Sequence, residues 1–193
     1  MFRFRKASIE DAPQIALTHV TAWSETYQGL MPDVYIQTYT LKRREALWCK
    51  VISENLAEVL VAEVIFNESN IEEESRLAGF LSYEKAKGRE SDFQDNFSLS
   101  SLYVLSEYQG LGVGRGLYRT FEDALLVDVG SASTCIHLWV LDSNFRALSF
   151  YMYLGFNETG KQLKEEVQGT CLIDLEMVKT LLPQKEVCEN YGP

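Results

Sequence analysis

Histidine and cysteine are scarce in this 193-residue chain, two of the first and four of the second. Cys49, Cys135, Cys171 and Cys188 form no CxxC pair and have no histidine at ligand spacing. Neither a zinc site nor a disulfide framework is supported, so the thiols read as buried or idle. No run is apolar enough to span a bilayer, and the start Met1-Phe2-Arg3-Phe4-Arg5-Lys6 lacks the apolar core of a signal peptide. The expected compartment is therefore cytoplasmic. Basic residues are in deficit too, 18 against 28 acidic ones, for a net charge of −10. That balance repels nucleic acid and anionic membranes, whose binding depends on neutralising phosphates, and it suits a cationic acceptor such as an amine. Internal repeats and low-complexity segments are also missing.

What remains is an ordinary globular composition, 46% hydrophobic and 24% charged, in a length that buries one sizeable core. One domain is expected over residues 1–182, followed by a loosely held tail over 183–193. Ser8 with Asp11 three residues on suggests an N-cap. Beyond it Ala12, Ala16, Val20, Trp23 and Tyr27 mark one apolar helical face. A second helical stretch is expected over 32–52. Trp23, Tyr27 and Tyr35 read as packing aromatics, or alternatively as walls of an acceptor pocket.

Strands are expected over 58–65 and 76–83, joined by a long polar loop with Glu72-Glu73-Glu74 at its tip, and a polar break follows over 85–95. Phe97 and Leu99, then Leu102 and Val104, suggest a third strand with an irregularity. Leu117, Phe121, Ala124 and Leu125 share a helical face, and 135–141 reads as another strand. A short helix over 144–154 stops at Gly155, and 170–177 alternates as a last long strand.

Between Val104 and Leu117 the chain turns from strand to helix through Gly110, Gly112 and Gly114. Such a turn bares backbone N–H groups at the positive end of a helix dipole, which is an anion site. It is not a Walker loop, because Arg115 or Leu117 stands where the second glycine is required. A dinucleotide fingerprint fails at the same Arg115.

The pattern that does fit is Q-x-x-G-x-G, satisfied by Gln109, Gly112 and Gly114, which resembles the pyrophosphate-binding signature of the GNAT superfamily of N-acetyltransferases. A later stretch, Leu138 to Phe156, resembles the family's second element, with a strand, Asn144, Ala147, Phe150-Tyr151 and Gly155-Phe156 in order. The resemblance implies an α/β fold, a mixed and mostly antiparallel sheet flanked by helices and splayed near Val104. It implies acetyl-CoA as co-substrate, no metal, and a small-molecule or peptide amine as acceptor. It leaves a homodimer open.

Residue by residue, the resemblance puts Leu102, Tyr103 and Val104 on the splayed strand beside the pantetheine arm. It puts the pyrophosphate on Gln109, Gly110, Leu111, Gly112, Val113 and Gly114, with Arg115 following, and Asn144 near the thioester. Tyr151 takes the position of an acid that protonates the departing thiolate, whose pKa resembles that of cysteine. Where the branch that acetylates ribosomal-protein N-termini carries a glutamate, this chain has Trp139, which argues against that branch.

No general base stands out. Glu84, or deprotonation of the acceptor through water, is left open, with Glu84 otherwise reading as solvated; Glu107 reads as structural or exposed, and His19 and His137 as packed within regular elements. Direct amine attack needs no cysteine, and main-chain N–H groups would hold the oxyanion. A noncatalytic acyl-CoA-binding module is the competing reading, and intact Asn144 and Tyr151 weigh against it.

Overall fold

The computed structural model describes residues 1–65, 76–86, 95–129 and 133–182. The acidic tip at Glu72–Glu74, most of the polar break, Cys188 and the tail over 183–193 lie outside them.

The described residues form a seven-stranded sheet in the order β1-β2-β3-β4-β5-β7-β6, antiparallel at every junction except β4–β5. Strand β1 (Phe2–Lys6) occupies the start that sequence reasoning weighed only as a leader. Its alternation is the reason it pairs. Phe2 and Phe4 pack on the larger core cluster, while Arg3 and Arg5 meet Glu63 of β2 (Glu58–Val64). Arg5 also forks onto Asp11 at 2.7 and 2.8 Å, and this pair holds the Asp11 carboxyl below its ordinary range.

Ser8 and Asp11 close the expected capping box. The turn they cap leads into helix α1 (Ala12–Tyr27), whose Ala12, Ile15, Ala16, His19, Ala22 and Trp23 are buried. The stretch expected as one helix over 32–52 is two, α2 (Asp33–Ile36) and α3 (Leu41–Ser53). Threonines make the break. The Thr38 hydroxyl donates to the Tyr35 carbonyl at 2.7 Å, and Thr40 is extended as it opens α3. Helices α1 and α3 cover one face of the sheet through Ile15, Trp48, Val59, Val61 and Phe80.

Strands β3 (Arg76–Lys85) and β4 (Asp95–Val104) pair with a register shift at Ser82/Tyr83, which leaves Ser100 as an extra residue in β4. This bulge is the irregularity read from the apolar spacing. It keeps Phe97, Leu99, Leu102 and Val104 with the larger cluster and turns Tyr103 toward α1. Helix α4 (Val113–Val129) covers that larger cluster with Leu117, Tyr118, Phe121 and Leu125.

Strand β5 (Thr134–Leu141), helix α5 (Phe145–Tyr153), strand β6 (Asn157–Val167) and strand β7 (Thr170–Leu181) complete the order. Strand β6 was not expected. It forms the sheet edge and is exposed over nearly its whole length. No helix among the described residues is long and apolar enough to cross a membrane.

Candidate active site

Strands β4 and β5 pair in parallel over only four residues, from Asp95↔Thr134 to Ser98↔His137. Beyond that point they run apart, and β4 from Leu99 to Val104 presents its free edge to the gap. A cavity of about 400 Å³ fills the gap. Its walls are β4, the glycine turn, the end of β5, the start of α5, and Thr26 and Tyr27 at the end of α1. Gly79 makes the close approach of β3 to β4 feasible, since a Cβ there would lie 2.5 Å from the Tyr103 carbonyl oxygen.

The turn is built by its own side chains. Gln109 Nε2 donates to the Val104 carbonyl at 2.8 Å, Glu107 pairs with Arg76 at 2.7 Å, and Ser106 donates twice to Glu25. Gly110 and Gly112 have φ of 77° and 86°, the left-handed region in which other residues are strained. Gly116 donates the first helical bond of α4, to the Gly112 carbonyl, so the amides before it are left for another acceptor.

The charge on the cavity wall is opposite to that of the chain. Arg115 and Arg146 line it, and among the described residues no aspartate or glutamate does. Free amides, absent side chains and two guanidinium groups together fit a polyphosphate.

Three phenols meet on the other side. Tyr151 lines the cavity, is only 8% exposed, and hydrogen-bonds to none of the described residues. Burial, then the neighbouring Tyr27, push its pKa upward, so it stays protonated at neutral pH. Tyr103 and Tyr27 neighbour each other there, and burial raises the pKa of both. Asn144 Oδ1 accepts from the Ala147 amide at 3.1 Å, capping α5 and fixing that side chain in the cavity wall.

The sequence pattern of the acetyltransferase (GNAT) family matches residues 23–156 of this chain. The chain belongs to that family. Membership makes it an acetyl-CoA-dependent N-acetyltransferase, and the splayed, mostly antiparallel sheet is the fold the motifs implied. Among its relatives, an N-acetyltransferase of Bacillus subtilis known as YuaI, itself uncharacterized, is 29% identical over 94% of this chain and 99% of its own length. PaiA N-acetyltransferase from Thermoplasma acidophilum, solved with coenzyme A, has the same fold at 23% identity and a TM-score of 0.65, covering 94% of this chain and 99% of that one. Arabidopsis thaliana NAA60, solved with a bisubstrate analogue, superposes at a TM-score of 0.67 and 15% identity, over 93% of this chain and 98% of that one.

In this acetyltransferase the residues singled out by motif mostly meet in one place. Leu102, Tyr103, Val104, Gln109, Gly110, Gly112, Val113, Gly114, Arg115, Asn144 and Tyr151 all line the cavity. Leu111 does not, and it is 60% exposed. The Gln109 amide is already committed to the Val104 carbonyl, so its side chain shapes the turn.

Of the aromatics, Tyr27 is a cavity wall, Trp23 is buried in a stack on Tyr39, and Tyr35 reaches Glu165 of β6 at 3.5 Å. Glu84 lines a separate hollow with Glu58 and Asp128, and Glu107 is held by Arg76. His19 is buried and accepts from Trp48 Nε1 at 3.1 Å, and His137 faces Glu176 at 3.4 Å. Arg146, Thr26 and Phe150 were missed. Arg146 had a signal, a cation two residues past the capping asparagine, where the start of a helix meets the cavity.

Proposed function

We propose that this chain transfers the acetyl group of acetyl-CoA to a cationic primary amine, by direct attack of the amine on the thioester. The observation that carries this is the cavity wall, which holds two arginines, free helix-start amides and, among the described residues, no carboxylate, in a strongly acidic chain. The pyrophosphate would lie against Gly110 to Gly114 with Arg115 beside it, and the pantetheine arm along the free edge of Leu102, Tyr103 and Val104. Asn144 and Tyr151 would flank the thioester.

The acceptor side is charged the other way. Asp174 of β7 stands opposite Leu141 of β5 and Leu163 of β6, on the face it shares with Trp139 and Glu165. Burial, with Glu165 and Asp142 nearby, raises its carboxyl pKa, and its charge is felt by Tyr27 and Tyr35. None of these three carboxylates forms an ion pair among the described residues, so an ammonium ion would be drawn to them.

The chemistry balances without a covalent enzyme intermediate. The ammonium sheds one proton to solvent, its nitrogen forms the C–N bond, and β4 amides steady the oxyanion. The nitrogen gives up its second proton as the C–S bond breaks, and Tyr151 protonates the sulfur and is restored from solvent. None of Cys49, Cys135 and Cys171 lines the cavity, so an acyl-cysteine route has no nucleophile among the described residues.

An amine panel tests the reading, with free CoA and N-acetyl product both measured. Matched release of the two supports it. Tight CoA binding with no product from any amine would favour a noncatalytic module instead.

A further inference from the structure

One side chain ties the acceptor-side helix to the cofactor turn. Glu25, in the last turn of α1, accepts from the Ser106 backbone N–H at 3.0 Å through Oε2 and from the Ser106 hydroxyl at 2.8 Å through Oε1. The two residues after it, Thr26 and Tyr27, line the cavity. Ser106 opens the single turn Ser106–Tyr108 that runs into Gln109 and the glycines.

The other ties of that segment lead elsewhere. Glu107 reaches Arg76 on β3, Gln109 reaches the Val104 carbonyl, and the Tyr108 ring meets Phe2 of β1 edge-on. They anchor the turn to the sheet. Glu25 anchors it to α1, and one carboxylate on two donors of one residue fixes orientation as well as position.

We propose that Glu25 is a positioning residue for acetyl-CoA, holding the turn that takes the pyrophosphate in its binding shape through Ser106. The role rests on the cofactor-turn reading above. Without Glu25, both Ser106 donors turn to water and the segment must be ordered by the ligand at the expense of affinity. Glu25 touches neither thioester nor amine, so the chemical step at saturation is untouched.

Calorimetric titration of CoA into the parent, Glu25→Ala, Glu25→Gln, Ser106→Ala and the double alanine variant tests this, with melting curves and kcat beside it. Glu25→Ala should weaken CoA by about 3- to 10-fold, from losing two hydrogen bonds of modest net worth. Glu25→Gln, which keeps an acceptor, and Ser106→Ala, which keeps the backbone bond, should fall between it and the parent. The double variant should be no weaker than Glu25→Ala, and kcat at saturating acetyl-CoA should stay near the parent's. A Glu25→Ala protein that melts lower yet binds CoA as the parent does would make the contact merely structural and overturn the proposal. So would losses that add in the double variant. Should Glu25→Ala not fold, parental affinity in both Glu25→Gln and Ser106→Ala overturns it equally. A parent that binds no CoA would sink the cofactor-turn reading and this role together, whereas a binding parent with unaffected variants sinks this role alone.

Discussion

Ser98 and His137 are the last residues that β4 and β5 share, and everything the site offers a cofactor lies past that pair. On one side of the divergence the bulge at Ser100 aims Tyr103 toward α1. On the other, β5 ends at Leu141 and α5 begins within four residues, bringing Asn144, Arg146 and Tyr151 to the same gap.

Gly114→Ala separates the site from the fold. Gly114 sits in the first turn of α4 at an ordinary helical φ, and an added Cβ would be 3.4 Å from the Phe150 ring, an ordinary contact. Alanine also favours the helix by up to about 1 kcal/mol. CoA affinity should therefore fall by about 10-fold or more, because the methyl group takes up cavity space between Phe150 and Leu102 beside the helix-start amides, while the melting temperature does not drop. Gly112 cannot serve this purpose, since its φ of 86° would strain a substituted backbone as well.

Tyr151→Phe removes a hydroxyl that no described residue satisfies. Stability should change by less than about 1 kcal/mol, because no partner is orphaned. If the phenol protonates the leaving sulfur, kcat and kcat/KM fall together by about 10–10³-fold, with little effect on acetyl-CoA affinity. Thiol release at saturating acceptor, read beside a melt, decides it. Parental turnover in a folded variant would assign Tyr151 to packing.

Strands β1 and β6 show where sequence patterning runs out. The alternation of Phe2, Arg3, Phe4 and Arg5 was visible, but five residues at a terminus carry little weight until Glu63 is known to lie opposite. Strand β6 has Leu163 as its one large apolar residue before Val167, so an exposed edge strand leaves no period-two signal. The glycine turn was legible because its physics is local, a strand end, positive φ and a helix start. The carboxylates proposed to draw the acceptor were not, because Asp174, Glu165 and Asp142 come together only through the pairing of β5, β7 and β6. Tyr27 joined the cavity rather than the core for a similar reason, α1 ending where the strands part.

Asp174→Asn tests the acceptor side. The variant should raise KM for a cationic amine by about 3- to 10-fold, as expected for losing one partly screened charge, and leave KM for acetyl-CoA unchanged. The effect should shrink in high salt. Steady-state kinetics at two ionic strengths give the answer, and an unchanged amine KM would remove Asp174 from recognition.

Stability should decline in mild acid because of His19. Burial, and secondarily Arg44, lower its pKa from 6.5 to about 3. The unfolded chain thus binds a proton that the native state refuses, and stability is full above pH 6.5 and lost progressively as pH falls toward 3. Asp11 and Glu176, whose carboxyls are lowered, add their own loss in stronger acid, and the raised Asp174 carboxyl acts in the opposite sense, so the histidine's share is the difference between the parent and His19→Gln. His19→Gln keeps an acceptor for Trp48 and should flatten the melting temperature below pH 6.5 relative to the parent. A slope identical to the parent's would mean another group is responsible.

Backbone amide exchange with and without CoA tests most directly where the cofactor lies. Protection should rise at 109–115, where the turn enters α4, and along the free edge of β4 at 99–104, with little change in β1 and β2. Protection confined to other elements, or none at saturating CoA, would contradict the cofactor site in the divergence of β4 and β5.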